Sequence, residues 1–336
     1  MDMKSWFNEV LKDGRKRPFP VLSFPSTSLL GITVRELISD STVQATGMKA
    51  IVDRCNTLAA VGMMDLSVEA EAFGSDIIVD DHEVPTVSGS IINTAEDAEA
   101  LEIPKVGKGR TGLYIEAIRR VCGVITDRPV FAGSIGPFSL SGRLMDMTNI
   151  MINCYVEPDM VHKTLQKATD FLVKYIQAYK DVGANGIVMA EPAAGLLSPD
   201  LIEEFSTPYV KQIIEAVQAD DFSVIYHNCG NTIPLINSIL KINAHAYHFG
   251  NAIDISEMLK LVPENTVVCG NVDPASQFRN GTPETVYKAT TDLMEKCSKY
   301  PNFIPSSGCD IPPLSPWENI DAFFTAIDDF YANALK

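Results

Sequence analysis

Short apolar runs alternate with longer stretches of helical periodicity along most of this chain, and that alternation constrains the fold more than any other feature. The runs at 20–24, 76–79, 130–133, 186–190, 223–226, 246–249, 267–270 and 303–305 have the length and apolar content of buried strands. Between them, 158–182 opens with proline in its first turn and carries Val161, Leu165, Ala168, Leu172 and Ile176 at helical spacing. Ser198-Pro199-Asp200 reads as an N-cap followed by proline at the first helical position, and Thr282-Pro283 repeats that start. A last helix is expected over 316–335. Strands alternating with helices argue for a parallel sheet with helical crossovers. Eight candidate strands favour closure into a TIM (β/α)8 barrel over an open doubly wound sheet, and no G-x-G-x-x-G follows an early strand. The expectation is an α/β TIM barrel with 1–336 as one domain. Residues 1–75, more helical than the barrel pattern, are expected to cap one end.

A chain of 336 residues is within what such barrels hold in a single domain, and 46% apolar against 21% charged content supplies a large core. No apolar run is long enough to span a bilayer, and the first twenty residues lack the apolar centre of a signal peptide, so a soluble cytoplasmic protein is expected. A formal charge of −16 repels phosphates and anionic lipids, which argues against nucleic-acid and membrane partners. Seven cysteines, an odd number without framework spacing, suit a reducing compartment. A homodimer is the default assembly.

In barrels of this type the chemistry sits where strands end. Metal-capable or polar residues follow one late run after another: Glu191-Pro192, then His227-Asn228-Cys229-Gly230, then Gly250-Asn251, then Asn271 and Asp273, then Ser306-Ser307-Gly308-Cys309-Asp310. His227 and Cys229 are two apart in an extended segment and leave the backbone on one face. One imidazole and two thiolates suit zinc, and three protein ligands with an open fourth position describe a catalytic rather than a structural ion. Taken alone, His-x-Cys is more often a buried histidine beside a buried cysteine. Placement of His227, Cys229 and Cys309 at strand ends raises the metal reading. Glu191 is either a fourth ligand, an orienter of the ligands, or simply an acid preceding the next helix. Gly136 ends another run, where a small residue lets a large ligand approach the backbone. His248 either faces the pocket or is a satisfied buried histidine. Asn251, Asn271 and Asp273 are hydrogen-bonding groups for that ligand or turn formers. Cys55, Cys122, Cys154, Cys269 and Cys297 have no partner at ligand spacing.

His227-x-Cys229-Gly230 with the late Ser307-Gly308-Cys309 resembles the zinc signature of methylcobamide:thiol methyltransferases, typified by methylcobamide:coenzyme M methyltransferase, within the uroporphyrinogen decarboxylase-like superfamily of TIM barrels. DLSVEAEAFG at 65–74 is similar to the family's early acidic segment. Gly136-Pro137-Phe138 with Gly142-Arg143-Leu144, Glu191-Pro192-Ala193 with Ser198-Pro199, Gly270-Asn271-Val272, Gly281-Thr282-Pro283-Glu284 and Pro316-x-Glu318-Asn319 also fit. The resemblance covers roughly 60–330, and the two zinc fragments are its most specific part. The decarboxylase branch carries an Arg-Gln-Ala-Gly-Arg run near its start; here the region reads RPFPVLSF at 17–24, without that run.

The resemblance implies a zinc-dependent transfer of a methyl group from a methylcobamide, a corrinoid on a partner protein, to a small thiol such as coenzyme M or to another acceptor. It places His227, Cys229 and Cys309 as zinc ligands, with Glu191 tuning or filling the fourth position. Gly136, His248, Asn251, Asn271 and Asp273 are the candidate cofactor-binding residues. Two other readings are a metal-free tetrapyrrole decarboxylase and a non-catalytic corrinoid-binding protein with structural zinc.

Overall fold

The computed structural model describes residues 1–334, so the final residue of the expected last helix, which runs over Trp317–Ala334, lies outside the described residues. Among these, β2 (Asp76–Ile78) and β3 (Thr86–Ser88) form an antiparallel hairpin. The remaining strands are β1 (Ala60–Val61), β4 (Val130–Ile135), β5 (Gly186–Ala190), β6 (Ser223–Asn228), β7 (Ala246–Phe249), β8 (Val267–Val272) and β9 (Phe303–Ser307). They form one parallel sheet in the order β1-β4-β5-β6-β7-β8-β9, a curled, TIM-like arrangement surrounded by helices.

Both faces of the sheet are buried, which is why these strands read as continuous apolar runs. Phe131, Val188, Ile225, Ala246, Cys269 and Ile304 point into the barrel. Their neighbours Ala132, Ile187, Val224, Tyr247, Val268 and Phe303 point outward under the helices. The helix Pro158–Asp181 buries Val161, Leu165, Ala168, Leu172 and Ile176, the stripe its spacing predicts. Ser198 accepts from Leu201 N at 3.3 Å, and Thr282 closes a capping box with Thr285, so both cap-then-proline starts are helix starts.

Two of the expected strands are corrected. The run at 20–24 is not a strand; the extended segment just before and within it stands where an eighth stave would, between β9 and β1. Phe19 N donates to Pro305 O at 2.9 Å, and Leu58 N donates to Pro18 O at 2.7 Å. Pro18 and Pro20 have no N–H to give, so no regular ladder can form there. The first regular strand of the barrel is instead Ala60–Val61, inside an apolar run at 58–64 that is not among the expected strands. The run at 76–79 does form a strand, but in the partly exposed hairpin outside the barrel.

The N-terminal helix Met3–Lys12 covers the end where the strands begin. Met3 N donates to Asp220 O, just ahead of β6, at 2.7 Å, and Phe7 meets His245, just ahead of β7, edge-on. Met3, Phe7 and Val10 join the interior cluster and close that end with apolar surface. Later in 1–75, β1 joins the barrel sheet and the helix Ser41–Arg54 packs against Thr111–Cys122. At the opposite end, the turn of the β2–β3 hairpin lines the mouth. Among the described residues, no helix is long and apolar enough to cross a membrane.

Candidate metal centre at the strand ends

His227 continues the inward row of Ile225 along β6, so its ring enters the top of the barrel; Cys229 follows where the strand opens into its loop. Cys309 comes from the turn after β9. Barrel curvature brings the three together: their ligand atoms all lie within 4.8 Å of one another. That spread suits a single ion at about 2.0–2.3 Å from each donor after small side-chain movement. Gly250, after β7, permits the packing, since a Cβ there would fall 2.5 Å from Cys229 Cα.

A hydrogen-bond chain sets the tautomer of His227. Ser306 Oγ lies 2.5 Å from Phe19 O, and a carbonyl can only accept, so the serine proton points there. Ser306 Oγ must then accept from His248 Nε2, 2.8 Å away. Burial and the neighbouring His227 ring hold the pKa of His248 well below the usual imidazole value, so it carries one proton and its Nδ1 is bare. That Nδ1 accepts from His227 Nδ1 at 2.7 Å, with His248 O a second acceptor at 3.2 Å. His227 Nε2 is left with a free lone pair, 3.4 Å from Cys309 Sγ. His248 is therefore an orienter of His227, with both ring nitrogens engaged, rather than a group facing a ligand.

The two site thiols behave as a pair. The contact with Cys309 pulls the Cys229 thiol well below the usual thiol range, and the same contact pushes Cys309 up. Burial alone raises Cys269, and burial dominates the upward shifts of Cys55, Cys122, Cys154 and Cys297, as expected of core thiols. A free imidazole nitrogen, one thiol disposed to ionise and a second beside it make a soft donor set that fits zinc.

Glu191 is not part of this cluster. It is fully buried, and its carboxylate accepts from Phe138 N at 3.0 Å and Ser139 N at 2.6 Å, at the start of the helix Pro137–Met145. Burial outweighs those donors and lifts its pKa to about 7. Gly136 makes room for this carboxylate rather than for a cofactor, because a Cβ there would lie 2.4 Å from Glu191 Oε2. Asn271 spends its amide on Gly250 O and Ile253 O, both at 2.9 Å. Asp273 accepts from Ala275 N and Ser276 N at 2.8 and 2.9 Å as a cap. Asn251, Asn271 and Asp273 line a separate cavity of about 420 Å³ against the helix Pro283–Cys297. Turn and cap chemistry accounts for Asn271 and Asp273, while Asn251 packs against Gly308, the residue before Cys309, without lining the cavity of the thiols.

The cavity that holds His227, Cys229 and Cys309 has a volume of about 440 Å³. Its lining includes Asp310, already named in the run after the last strand, and Met64 and Arg143, which sequence reasoning did not place in the site. Arg143 left one usable signal: it is the sole charged residue in the otherwise buried, largely apolar helix PFSLSGRLM.

The family model for uroporphyrinogen decarboxylase (URO-D) matches residues 26–330. Methylcobamide:CoM methyltransferase MtbA of Methanosarcina acetivorans is 29% identical over 264 residues, covering 76% of this chain and 75% of the relative. A uroporphyrinogen decarboxylase of Coxiella burnetii is 27% identical over 292 residues, 81% of this chain and 77% of that one. A solved methyltransferase from Methanosarcina mazei aligns with a TM-score of 0.86 over 98% of this chain and 99% of its own, at 22% identity, a likeness of fold. A match that long, over a TIM-like barrel of the same shape, places this chain in the uroporphyrinogen decarboxylase (URO-D) family.

Proposed function

We propose that this protein is a zinc-dependent methyltransferase that moves a methyl group from a methylcobamide, carried on a corrinoid protein, to a small thiol such as coenzyme M. The observation that carries the reading is the convergence of His227, Cys229 and Cys309 from two strand ends, with a free lone pair on His227 Nε2. The relatives named for methylcobamide:CoM methyl transfer support it. When bound by these three residues, zinc would lower the pKa of an incoming thiol and hold it as thiolate at neutral pH.

The chain's own residues supply the rest. His248 and Ser306 keep His227 in the tautomer that offers Nε2. Two cysteine thiolates would cancel the charge of the ion, so an acceptor thiolate stays electron-rich and nucleophilic. Its proton leaves to solvent through the mouth. The sulfur would bond to the methyl carbon of the methylcobamide substrate as the cobalt–carbon bond breaks, the bonding pair remaining with the departing corrinoid. Glu191 acts from behind the site: its carboxylate anchors the helix Pro137–Met145, and its carbonyl accepts at 2.9 Å from Asn228, which stands between His227 and Cys229.

The decisive measurement is zinc per chain, in wild type and in Cys309→Ser, with folding followed by circular dichroism. Near-stoichiometric zinc that is sharply reduced in the variant, together with methyl transfer from methylcobalamin to thiols, is the expected result. A well-folded wild type that takes up no zinc after reconstitution would overturn the reading in favour of a metal-free decarboxylase, an activity that relatives of comparable identity carry in their names. Melting of the fold on zinc removal would indicate a structural ion instead.

A further inference from the structure

Among the described residues, Arg143 is an unpaired cation in the lining of the site cavity. Eight of the ten arginines in the chain form ion pairs: Arg15, Arg35, Arg54, Arg110, Arg119, Arg120, Arg128 and Arg279. Among the described residues, Arg143 has neither an ion pair nor a side-chain hydrogen bond, although it is half-buried. Desolvation acts on its guanidinium with no neighbouring carboxylate to offset it. Asp310 and Glu83 line the same cavity, but no ion pair joins either to Arg143; Glu83 faces Arg279 at 3.8 Å. Half-burying a charge without a partner is costly, and guanidinium cannot escape the cost by losing its proton. The helix around it, PFSLSGRLM, is buried at every other position and is anchored at its start by Glu191. A rigid element thus holds a five-donor planar fork at the wall of the cavity that contains the three metal-capable side chains.

We infer that Arg143 selects the methyl acceptor by binding an anionic group, a sulfonate or a carboxylate, on a small thiol whose sulfur reaches Cys229 and Cys309. The inference rests on the methyl-transfer reading for the identity of the sulfur group, but not for the anion subsite. Arginine matches such oxyanions bidentately and with charge-assisted strength. The charge balance agrees: the donor set contributes two thiolates and an acceptor thiolate adds a third negative sulfur, so a second anion on the acceptor needs a fixed cation away from the metal. Arg143 is that cation.

The subsite is tested without zinc and without turnover. Ethanesulfonate and propionate, which lack sulfur, are titrated calorimetrically into metal-free wild type, Arg143→Met and Arg143→Lys, with melting curves to verify folding. Wild type should bind at least one of them, Arg143→Met should lose about tenfold or more, and Arg143→Lys should lose less. The tighter of the two identifies the acceptor as a sulfonate or a carboxylate. In steady-state assays with methylcobalamin, Arg143→Met should raise KM about tenfold for 2-mercaptoethanesulfonate or 3-mercaptopropionate and leave KM for neutral 2-mercaptoethanol unchanged. Absence of anion binding in wild type, or an equal loss for charged and neutral thiols, would overturn the subsite. Anion binding that depends on Arg143, in a protein that methylates no thiol, would leave the subsite standing and remove the methyl-transfer reading.

Discussion

At the scale of single residues, the candidate ligands depend on partners outside their own cluster. His227 presents Nε2 because Phe19 O, Ser306 and His248 pass one hydrogen-bond direction along a chain into the barrel. Alanine at His248 or Ser306 breaks that direction and lets the His227 ring turn or change tautomer. Zinc affinity, read by competition with a chromogenic chelator, should fall about 10–100-fold in either variant, with all three ligands intact. Unchanged affinity in both would show that the chain does not orient His227. Glu191 shows the converse: a carboxylate beside a candidate metal site can be wholly engaged elsewhere, here by two backbone N–H groups at a helix start.

At the scale of elements, the two ends of the barrel do different work. The helix Met3–Lys12 inserts Met3, Phe7 and Val10 into the end where the strands begin, and His227, Cys229 and Cys309 gather at the other. Phe7 is buried against Trp6 and His245. Truncating it to alanine leaves a cavity and should cost about 3–5 kcal/mol, seen as a lower midpoint in urea. Zinc content should not change, because the lesion lies a full barrel length from the ligands. Loss of zinc in a folded Phe7→Ala variant would mean that the two ends are coupled. At the site end, the turn of the β2–β3 hairpin lines the cavity together with Met64 and Leu66.

For the molecule as a whole, buried carboxyls set the pH dependence of stability. Glu69 is buried; Oε1 accepts from Ile135 N at 3.1 Å and Ser134 Oγ at 3.3 Å, and Oε2 has no partner among the described residues. Burial, above all, lifts its pKa from 4.5 to about 7. Between those values the folded chain holds a proton that the unfolded chain has released. Its support for the fold is therefore complete below the unfolded pKa and is lost as pH rises through about 7, a change of up to about 3 kcal/mol. Glu191 has the same sign. Between about pH 5 and pH 8 the melting temperature of Glu69→Gln should fall less than that of wild type. Parallel curves would rule out Glu69 as a source of the slope.

The sequence by itself determined the barrel and pointed to three side chains that meet at its mouth. The side-chain period of a strand and the crossover of a parallel pair are local matters, so alternating runs imply a parallel α/β fold. His227, Cys229 and Cys309 stand at strand ends in the sequence already, and fold class plus strand ends was enough to bring them together. Tertiary structure alone decided the rest. Prolines at 18 and 20 turned an expected strand into an irregular stave, which shows only in what Phe19 and Leu58 bond to across the closure. The tautomer chain joins residues 19, 227, 248 and 306, and the lack of a partner for Arg143 among the described residues depends on where every nearby carboxylate lies. Such relations depend on how far the barrel curls and on which helix lies over which strand. They are distances between residues remote in the chain, and no local pattern carries them.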